Sequence, residues 1–440
     1  MNCECAICKS NKPFDMPKEI VEAAIKGDLV LFCGAGISTE SKSVLPYSFY
    51  TEIKQELSLN ENLSFCQLMQ LYCDQPNGRK LLLKKIRKRF SYINSFPELE
   101  RSASSFHREL AELYPIRTII TTNWDTYFEE YCAAIPITIP EDFAYWDDSE
   151  RFVLKIHGSI NNLSTIIATE DDYNKCYQSL QKGIIGATLK HILAIKTVVF
   201  IGFSFGDDDL NQIIEYLQKE MGDIYPHIYL VTLDETLKDR INYKNCTSIV
   251  TSGTFFIHSF KNILISKGII KNTSIYSQIC TVLGCIKELH EKAAQIDLQK
   301  HPCSLYNLAY QDGVIHSFER YLQNYNTGEY CDPNRISCLV CKYEQIKDKS
   351  FANGNYWDEA YYEGYINGLV LISEIEEDAE AVKEFPFIYL PNARRALTSY
   401  EAFFKELDSL STEEDEYCKY ANSIVKNYTA KDIIVHHPPY

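Results

Sequence analysis

Four short apolar runs, each ending in glycines or small polar residues, constrain the fold of this chain more than any other feature of its sequence. They are DLVLFCG from Asp28, IRTIITTN from Ile116, RFVLKIHGS from Arg151 and TVVFIGFS from Thr197. Such runs are typical of strands that are buried on both faces of a parallel sheet. A fifth run, HIYLVTLDE, follows from His227.

Helical patterns lie between these runs. The segment FHRELAELY places Phe106, Leu110 and Leu113 on one stripe, and LNQIIEYLQKEM repeats that spacing from Leu210 to Met221. Strands that alternate with helices predict an α/β fold with a doubly wound parallel sheet.

The ends of the four runs predict a ligand site, because ligands bind beyond the carboxyl ends of the strands in such sheets. The runs end in Gly34-Ala35-Gly36, Thr122-Asn123-Trp124-Asp125, His157-Gly158-Ser159 and Gly202-Phe203-Ser204. Glycines between a strand and a helix let backbone N–H groups approach a phosphate. Taken alone, Gly34-Ala35-Gly36 fits equally well a tight turn that binds nothing.

Together the four endings resemble the motifs of the sirtuin family of NAD-dependent enzymes. GAGIS resembles the NAD-phosphate loop, TTNWD the Thr-x-Asn-x-Asp motif and KIHGS the His-Gly motif. GFSFGDDDL resembles the ending typical of bacterial sirtuin-like immune effectors. The motifs occur in the family's order between Glu19 and Phe260. The resemblance implies a Rossmann-like sheet with helical insertions.

The resemblance also implies roles for single residues. Asn123 and His157 would be catalytic, with His157 as the general base, and Asn123 and Asp125 would hold the nicotinamide ribose and an attacking water. The implied NAD-binding residues are Gly34, Ala35, Gly36 and Ser38 at the phosphates, Thr122 and Asp125 in the Thr-x-Asn-x-Asp motif, Gly202 and Ser204 at the adenosine, and Asp234 at a ribose hydroxyl or the adenine.

The chemistry of these side chains agrees with the implied roles. Cleavage between nicotinamide and ribose passes through an oxocarbenium-like state, and histidine is the side chain whose ordinary pKa suits a base near pH 7. Asparagine offers a donor and an acceptor without a charge. Each residue also has a structural alternative: His157 as a strand-end histidine, Asn123 as a turn former, and Asp207 to Asp209 as caps of the following helix.

Two departures separate the chain from the protein deacylases of the family. The segment KSVLPYSFY keeps Pro46 but lacks the Asp-Phe-Arg stretch, and only Cys132 and Cys176 stand where those enzymes insert a four-cysteine zinc module. The chain therefore resembles the sirtuin-like NADases of antiphage defence, which hydrolyse NAD to nicotinamide and ADP-ribose upon infection. Two alternatives stay open: NAD-dependent deacylation or ADP-ribosyl transfer, and a non-catalytic sensor of NAD or ADP-ribose.

Two Cys-x-x-Cys pairs suggest a structural zinc site. Cys5 and Cys8 form one pair, and Cys338 and Cys341 form the other. The two pairs together would complete a tetrahedral site. Alternatively, ISCLVCKYEQI is a helix with buried cysteines that bind no metal.

Composition and charge narrow the classes of partner. A net charge of −16 argues against nucleic-acid binding over the whole surface, and the densest basic segment, RKLLLKKIRKRF, is typical of a solvated helix face. The N-terminus lacks the apolar segment of a signal peptide, so we expect a cytoplasmic protein with reduced cysteines and no membrane span.

We expect three parts in the chain: a cysteine-containing segment over 1–26, the sirtuin-like domain over 27–270 and a mostly helical domain over 271–440. The helical patterns of the last part are interrupted by two predicted loops, CDPNRIS and KSFANGNY. A toxic NADase needs a trigger, so this part is expected to serve assembly, a partner or sensing. The resemblance to the family implies that the chain forms a homo-oligomer. It also implies a further partner, such as an operon-encoded HerA-type ATPase or a phage-derived activator.

Overall fold

The structure is a computed structural model, and it divides the chain into two units, 1–270 and 271–440. The residues it describes are 6–9, 13–41, 44–61, 63–146, 150–203, 208–236, 245–271, 274–324, 330, 333–375, 382, 385–393, 397, 399–409, 415–428 and 436. Within these ranges no helix is long and apolar enough to cross a membrane.

The first unit is built on a parallel sheet of seven strands. In chain order they are β1 (Leu29–Cys33), β2 (Thr118–Thr121), β3 (Ile135–Ile137), β4 (Phe152–Lys155), β5 (Thr197–Ile201), β6 (Ile228–Thr232) and β7 (Cys246–Val250). Their order across the sheet is β3-β4-β2-β1-β5-β6-β7. Strands β2, β3 and β4 lie on one side of β1, and β5, β6 and β7 follow on the other side. The crevice between the ends of β1 and β5 is therefore the topological switch point of the sheet.

The strand register brings the predicted motifs to one level. Cys33 pairs with Thr121 on one side and with Ile201 on the other, and Thr121 pairs with Lys155. The segments that follow β1, β2, β4 and β5 therefore leave the sheet side by side. All five strands predicted from the sequence are present, and the doubly wound α/β fold is confirmed.

Two strands were missed, and both lie at the edges of the sheet. β3 has three residues with Pro136 at its centre, and β7 carries polar residues and is only partly buried. Edge strands are covered on fewer sides, so they lack the continuous apolar run that identified the central strands, and they tolerate proline.

Helices cover both faces of the sheet. The helices of the first unit are α1 (Ala6–Lys9), α2 (Lys18–Ile25), α3 (Phe49–Glu56), α4 (Phe65–Cys73), α5 (Gly78–Ser95), α6 (Pro97–Ala111), α7 (Tyr127–Cys132), α8 (Glu170–Lys182), α9 (Ile184–Ile195), α10 (Asp208–Met221) and α11 (Gly253–Ser266). Alternate β1 residues enter different cores: Leu31 packs with α2, α6 and α11, while Phe32 packs with α8, α9 and α10.

The helical insertion between β1 and β2 has a small core of its own. Helices α3, α4 and α5 contribute Ile53, Met69 and Leu82 to it, and Trp124 of the segment after β2 packs against it. The insertion thus borders the carboxyl edge of the sheet on the side of β2. The sequence analysis did not locate it.

The second unit is helical, as expected. Its helices are α12 (Ser274–Ala293), α13 (Ser304–Gln323), α14 (Pro333–Ala352), α15 (Tyr356–Glu374), α16 (Tyr400–Ser409) and α17 (Glu416–Val425). Helices α13 and α15 pack in close contact at Gly364. A Cβ at this position would lie 1.9 Å from the carbonyl oxygen of Tyr310, so the contact requires glycine. The predicted loop CDPNRIS is wrong from Pro333 onward, where α14 begins, since proline suits a first helical position. The predicted loop KSFANGNY is confirmed only over residues 353–355, because 349–352 still belong to α14 and Tyr356 begins α15.

Candidate active site

The glycine loop after β1 packs directly on the backbone that follows β5. The Gly34 N–H donates to the carbonyl of Ile201 at 2.9 Å, and the Gly36 N–H donates to that of Gly202 at 3.0 Å. A Cβ at Gly34 would lie 2.5 Å from the Gly202 oxygen, which no larger residue tolerates. The bare backbone is thus required by this contact between loops, and two of the N–H groups expected at a phosphate are already bonded. Within the loop, Gly36 is exposed and Ala35 is half-buried.

Ser38 joins the glycine loop to the segment after β2. Its hydroxyl is fully buried and donates to Asp125 Oδ2 at 2.8 Å. The Ser38 hydroxyl oxygen in turn accepts from Asn123 Nδ2 at 3.3 Å, and that amide also donates to the Gly34 carbonyl at 3.2 Å. The sequence predicted all of these residues at the site. Ser38 was expected at the phosphates, and in the structure its hydroxyl is bonded to the side chains of Asn123 and Asp125.

Asn123 presents one atom without a partner. The residue is 4 % exposed, its backbone N–H donates to Thr121 Oγ1 at 3.0 Å, and its Oδ1 has no hydrogen bond among the described residues. A buried acceptor left in this state costs about 1–3 kcal/mol. A hydroxyl donor from a ligand would satisfy it, and a ribose carries such donors. Thr122, next to it, is half-buried.

Asp125 is a buried carboxyl group held by opposing effects. Burial raises its pKa, while the positive charge of Lys155 and the hydrogen bond from Ser38 lower it. The Tyr127 backbone N–H donates to Oδ1 at 3.4 Å. The carboxylate is therefore ionised more weakly than one in water, and its charge depends on Lys155.

His157 follows β4 and is 3 % exposed. Its ring meets the edge of Tyr173 with centroids 4.9 Å apart, and its carbonyl accepts from Ile167 N at 3.1 Å. Gly158 follows with φ +85°, and a Cβ there would lie 2.1 Å from the Thr165 carbonyl. The tight turn after β4 therefore requires glycine and keeps the histidine at the end of the strand.

The remaining predicted site residues divide into described and undescribed ones. Gly202 is half-buried with φ +64°, in contact with the glycine loop. Asp234 is exposed, and its Oδ1 accepts from the backbone and hydroxyl of Thr236 at 2.9 and 2.7 Å. This carboxylate is engaged in a local turn, so its contact with a ribose or adenine remains a prediction. Ser204 and Asp207 lie outside the described residues.

The zinc hypothesis receives no support. Cys338 and Cys341 are exposed on α14, Cys8 lies on α1 in the other unit, and Cys5 is outside the described residues. Across the ranges that the structure describes, no group of three or more His, Cys, Asp or Glu side chains is placed to hold a metal. The alternative prediction, that ISCLVCKYEQI is a helix with buried cysteines, is confirmed for the helix and wrong for the burial of Cys338 and Cys341.

Sequence reasoning missed two residues that contact the predicted set. Lys155 is fully buried beneath Asp125, and Tyr173 packs on the imidazole of His157. The sequence did contain a signal for Lys155. It lies inside the apolar run FVLKI, and a lysine is almost never fully buried unless it is paired.

The seven-stranded parallel sheet with helices on both faces defines a Rossmann-like α/β domain. Residues 117–249, which include the TTNWD, KIHGS and GFSFGDDDL motifs but not GAGIS, match the SIR2-like domain. This match to a SIR2-like domain confirms the resemblance to the sirtuin family.

Individual relatives agree with this assignment. The chain is 31% identical over 205 residues to "NAD(+) hydrolase ThsA" of Enterococcus faecium, covering 45% of this chain and 41% of that protein. It is 32% identical over 213 residues to the protein of the same name from Cytobacillus dafuensis, covering 47% and 41%. It is 25% identical over 238 residues to "Defense-associated sirtuin 2" of Bacillus subtilis, covering 51% and 22%. The chain thus matches less than half the length of each of these relatives.

Proposed function

We propose that this chain is an NAD+ hydrolase that cleaves NAD to nicotinamide and ADP-ribose. The observation that carries the proposal is the buried cluster of Ser38, Asn123 and Asp125 at the carboxyl edge of the sheet, in which Asn123 Oδ1 has no hydrogen-bond donor among the described residues. The similarity to proteins named as NAD(+) hydrolases supports the same reaction.

Each residue has a chemical task in this reaction. The bond from ribose C1′ to nicotinamide breaks with its electron pair leaving on nicotinamide, and a water oxygen bonds to C1′. Asn123 Oδ1 accepts from a ribose hydroxyl, and the Asp125 carboxylate stabilises the positive charge that develops on the sugar. His157 takes the proton of the attacking water. Because water is the acceptor and no acyl peptide has to be bound, the four-cysteine module of the deacylases is dispensable.

The proposed biological role rests on the relatives' names and on the toxicity that NAD depletion would have for the cell. One relative is named as a defense-associated sirtuin, which supports depletion of NAD on phage infection as the purpose of the reaction. The helical second unit then serves assembly, a partner or the trigger. A homo-oligomer, a HerA-type ATPase and a phage-derived activator remain the proposed partners.

Chromatography of nicotinamide and ADP-ribose tests the proposal, using the purified chain with and without lysate from phage-infected cells. We expect turnover without any acyl peptide, and loss of at least a hundredfold in Asn123→Ala and His157→Ala. Exposed residues of the same types provide matched controls, Asn60→Ala and His191→Ala, which should keep wild-type turnover.

The alternatives give different results in the same assay. Nicotinamide release only with an acyl peptide identifies a deacylase, and label transfer to a protein identifies an ADP-ribosyltransferase. NAD or ADP-ribose binding without turnover under every condition refutes hydrolysis and identifies a sensor.

A further inference from the structure

Lys155 is a lysine whose side chain is entirely buried, and none of the chemical tasks above uses it. Burying an ammonium group costs several kcal/mol unless partners replace its water. Two partners do so: the ammonium donates to the backbone carbonyl of Asp125 and to Glu129 Oε1, the latter at 2.9 Å.

Both partners belong to the segment after β2, whereas the lysine ends β4. Asp125 lies two residues beyond Asn123, and Lys155 lies two residues before His157. The ammonium therefore connects the segment that carries Asn123 to the strand that carries His157. Two backbone bonds also join these parts of the chain, from Ile160 N to the Trp124 carbonyl at 2.8 Å and from Ile156 N to the Thr121 carbonyl at 2.9 Å. Loss of the lysine should therefore displace the site without unfolding it.

The charges around Asp125 give Lys155 an electrostatic part as well. Its charge opposes the rise that burial imposes on the pKa of Asp125 and on that of Glu129. Burial raises the pKa of Cys33 and lowers that of His107 to about 3, so both are neutral near pH 7. Tyr127 is likewise neutral, because burial raises its pKa. Cys33, His107 and Tyr127 therefore add no charge, and Lys155 supplies the positive charge next to the carboxylates of Asp125 and Glu129.

We infer that Lys155 is a positioning residue of the proposed NAD-cleaving site, which holds the segment bearing Asn123 and Asp125 in register with the strand bearing His157. The inference rests on the proposed function. A lysine that served the fold alone would be replaceable together with its carboxylate partner, because buried ion pairs exchanged for neutral residues of similar volume often leave stability unchanged.

The decisive variant is therefore Lys155→Met/Glu129→Gln, which removes both charges of the buried ion pair and leaves Asp125 with the Ser38 donor but without its cation. We expect its melting temperature to stay near that of the wild type, while kcat falls at least tenfold and KM changes less than threefold. The acidic limb of its pH–rate profile should move to higher pH, because Asp125 loses its cation and takes up a proton more readily. Glu129→Gln alone retains the bond from Lys155 to the Asp125 carbonyl and should stay within threefold of the wild type.

The control is an ion pair at the other end of the strands. Lys196 pairs with Asp28 at 2.6 Å, and Lys196→Met/Asp28→Asn should leave both kcat and the pH profile unchanged. A folded Lys155→Met/Glu129→Gln variant with wild-type kcat and pH profile overturns the positioning role.

Failure of the proposed function is distinguishable. A wild-type chain that binds NAD without cleaving it refutes hydrolysis, and calorimetry of NAD binding then tests Lys155: we expect at least a tenfold loss of affinity in the double variant, and unchanged affinity overturns the inference. A wild-type chain that neither binds nor cleaves NAD refutes both.

Discussion

Replacing Ser38 with alanine tests whether this hydroxyl organises the site. Ser38→Ala removes one oxygen from a position that is fully buried, without changing the backbone. Asp125 Oδ2 loses its donor at 2.8 Å, whereas Asn123 Nδ2 keeps the Gly34 carbonyl as an acceptor. The variant loses one hydrogen bond to a charged group and the longer bond from Asn123 Nδ2, so the cost is at least about 1.5–3 kcal/mol in the free energy of unfolding.

The pH dependence of this cost has a definite sign. The bond from Ser38 favours the ionised form and lowers the pKa of Asp125, so that pKa rises further in Ser38→Ala. At a pH above the pKa of Asp125 in both folded proteins, wild type and Ser38→Ala, the variant bears the full cost. The difference in stability between the two proteins shrinks as pH falls through these pKa values, because a protonated carboxyl group needs the donor less.

Urea denaturation at several pH values measures the difference. Ser91→Ala, on the exposed face of α5, is the control and should stay within about 0.5 kcal/mol of the wild type. A Ser38→Ala variant as stable as this control near neutral pH, or one whose deficit grows on acidification, refutes the role of Ser38 in holding an ionised Asp125.

Three further perturbations follow from the structure. Gly34→Ala should cost more than about 2 kcal/mol, because its Cβ meets the Gly202 oxygen at 2.5 Å, whereas Gly284→Ala, in open space within α12, should be neutral or slightly stabilising; thermal melts compare the two. Turnover of NAD should fall on acidification at a higher pH than an ordinary carboxyl titrates, since burial raises the pKa of Asp125 and its charge is lost as pH drops; a pH–kcat profile that stays flat down to pH 4 contradicts this. Arg151→Met should destabilise the first unit by about 3–5 kcal/mol or more, as its buried guanidinium donates to the carbonyls of Ile116, Ala111, Cys132 and Leu113, and equilibrium unfolding measures the loss.

The positions of the central strands could be predicted from the sequence because burial on both faces leaves a continuous apolar run. The stripe of Phe106, Leu110 and Leu113 was likewise legible, and all three side chains are buried against the sheet. Elements with weaker local signals were missed. β3 and β7 are covered on fewer sides, and the helices of the insertion pack on one another over a small core.

The candidate site shows the same division. A parallel sheet delivers the ends of its strands to one edge, so the sequence alone predicted Asn123, Asp125 and His157 at the same edge of the sheet. It did not reveal that Gly34 and Gly36 donate to the backbone after β5, or that Ser38 bonds to a carboxylate 87 positions away in the chain. The partners of Lys155 were equally hidden. Periodicity and strand ends are local properties written in neighbouring residues, whereas the partner of a buried polar atom depends on which distant segments the sheet order brings into contact, and only the tertiary structure decides that.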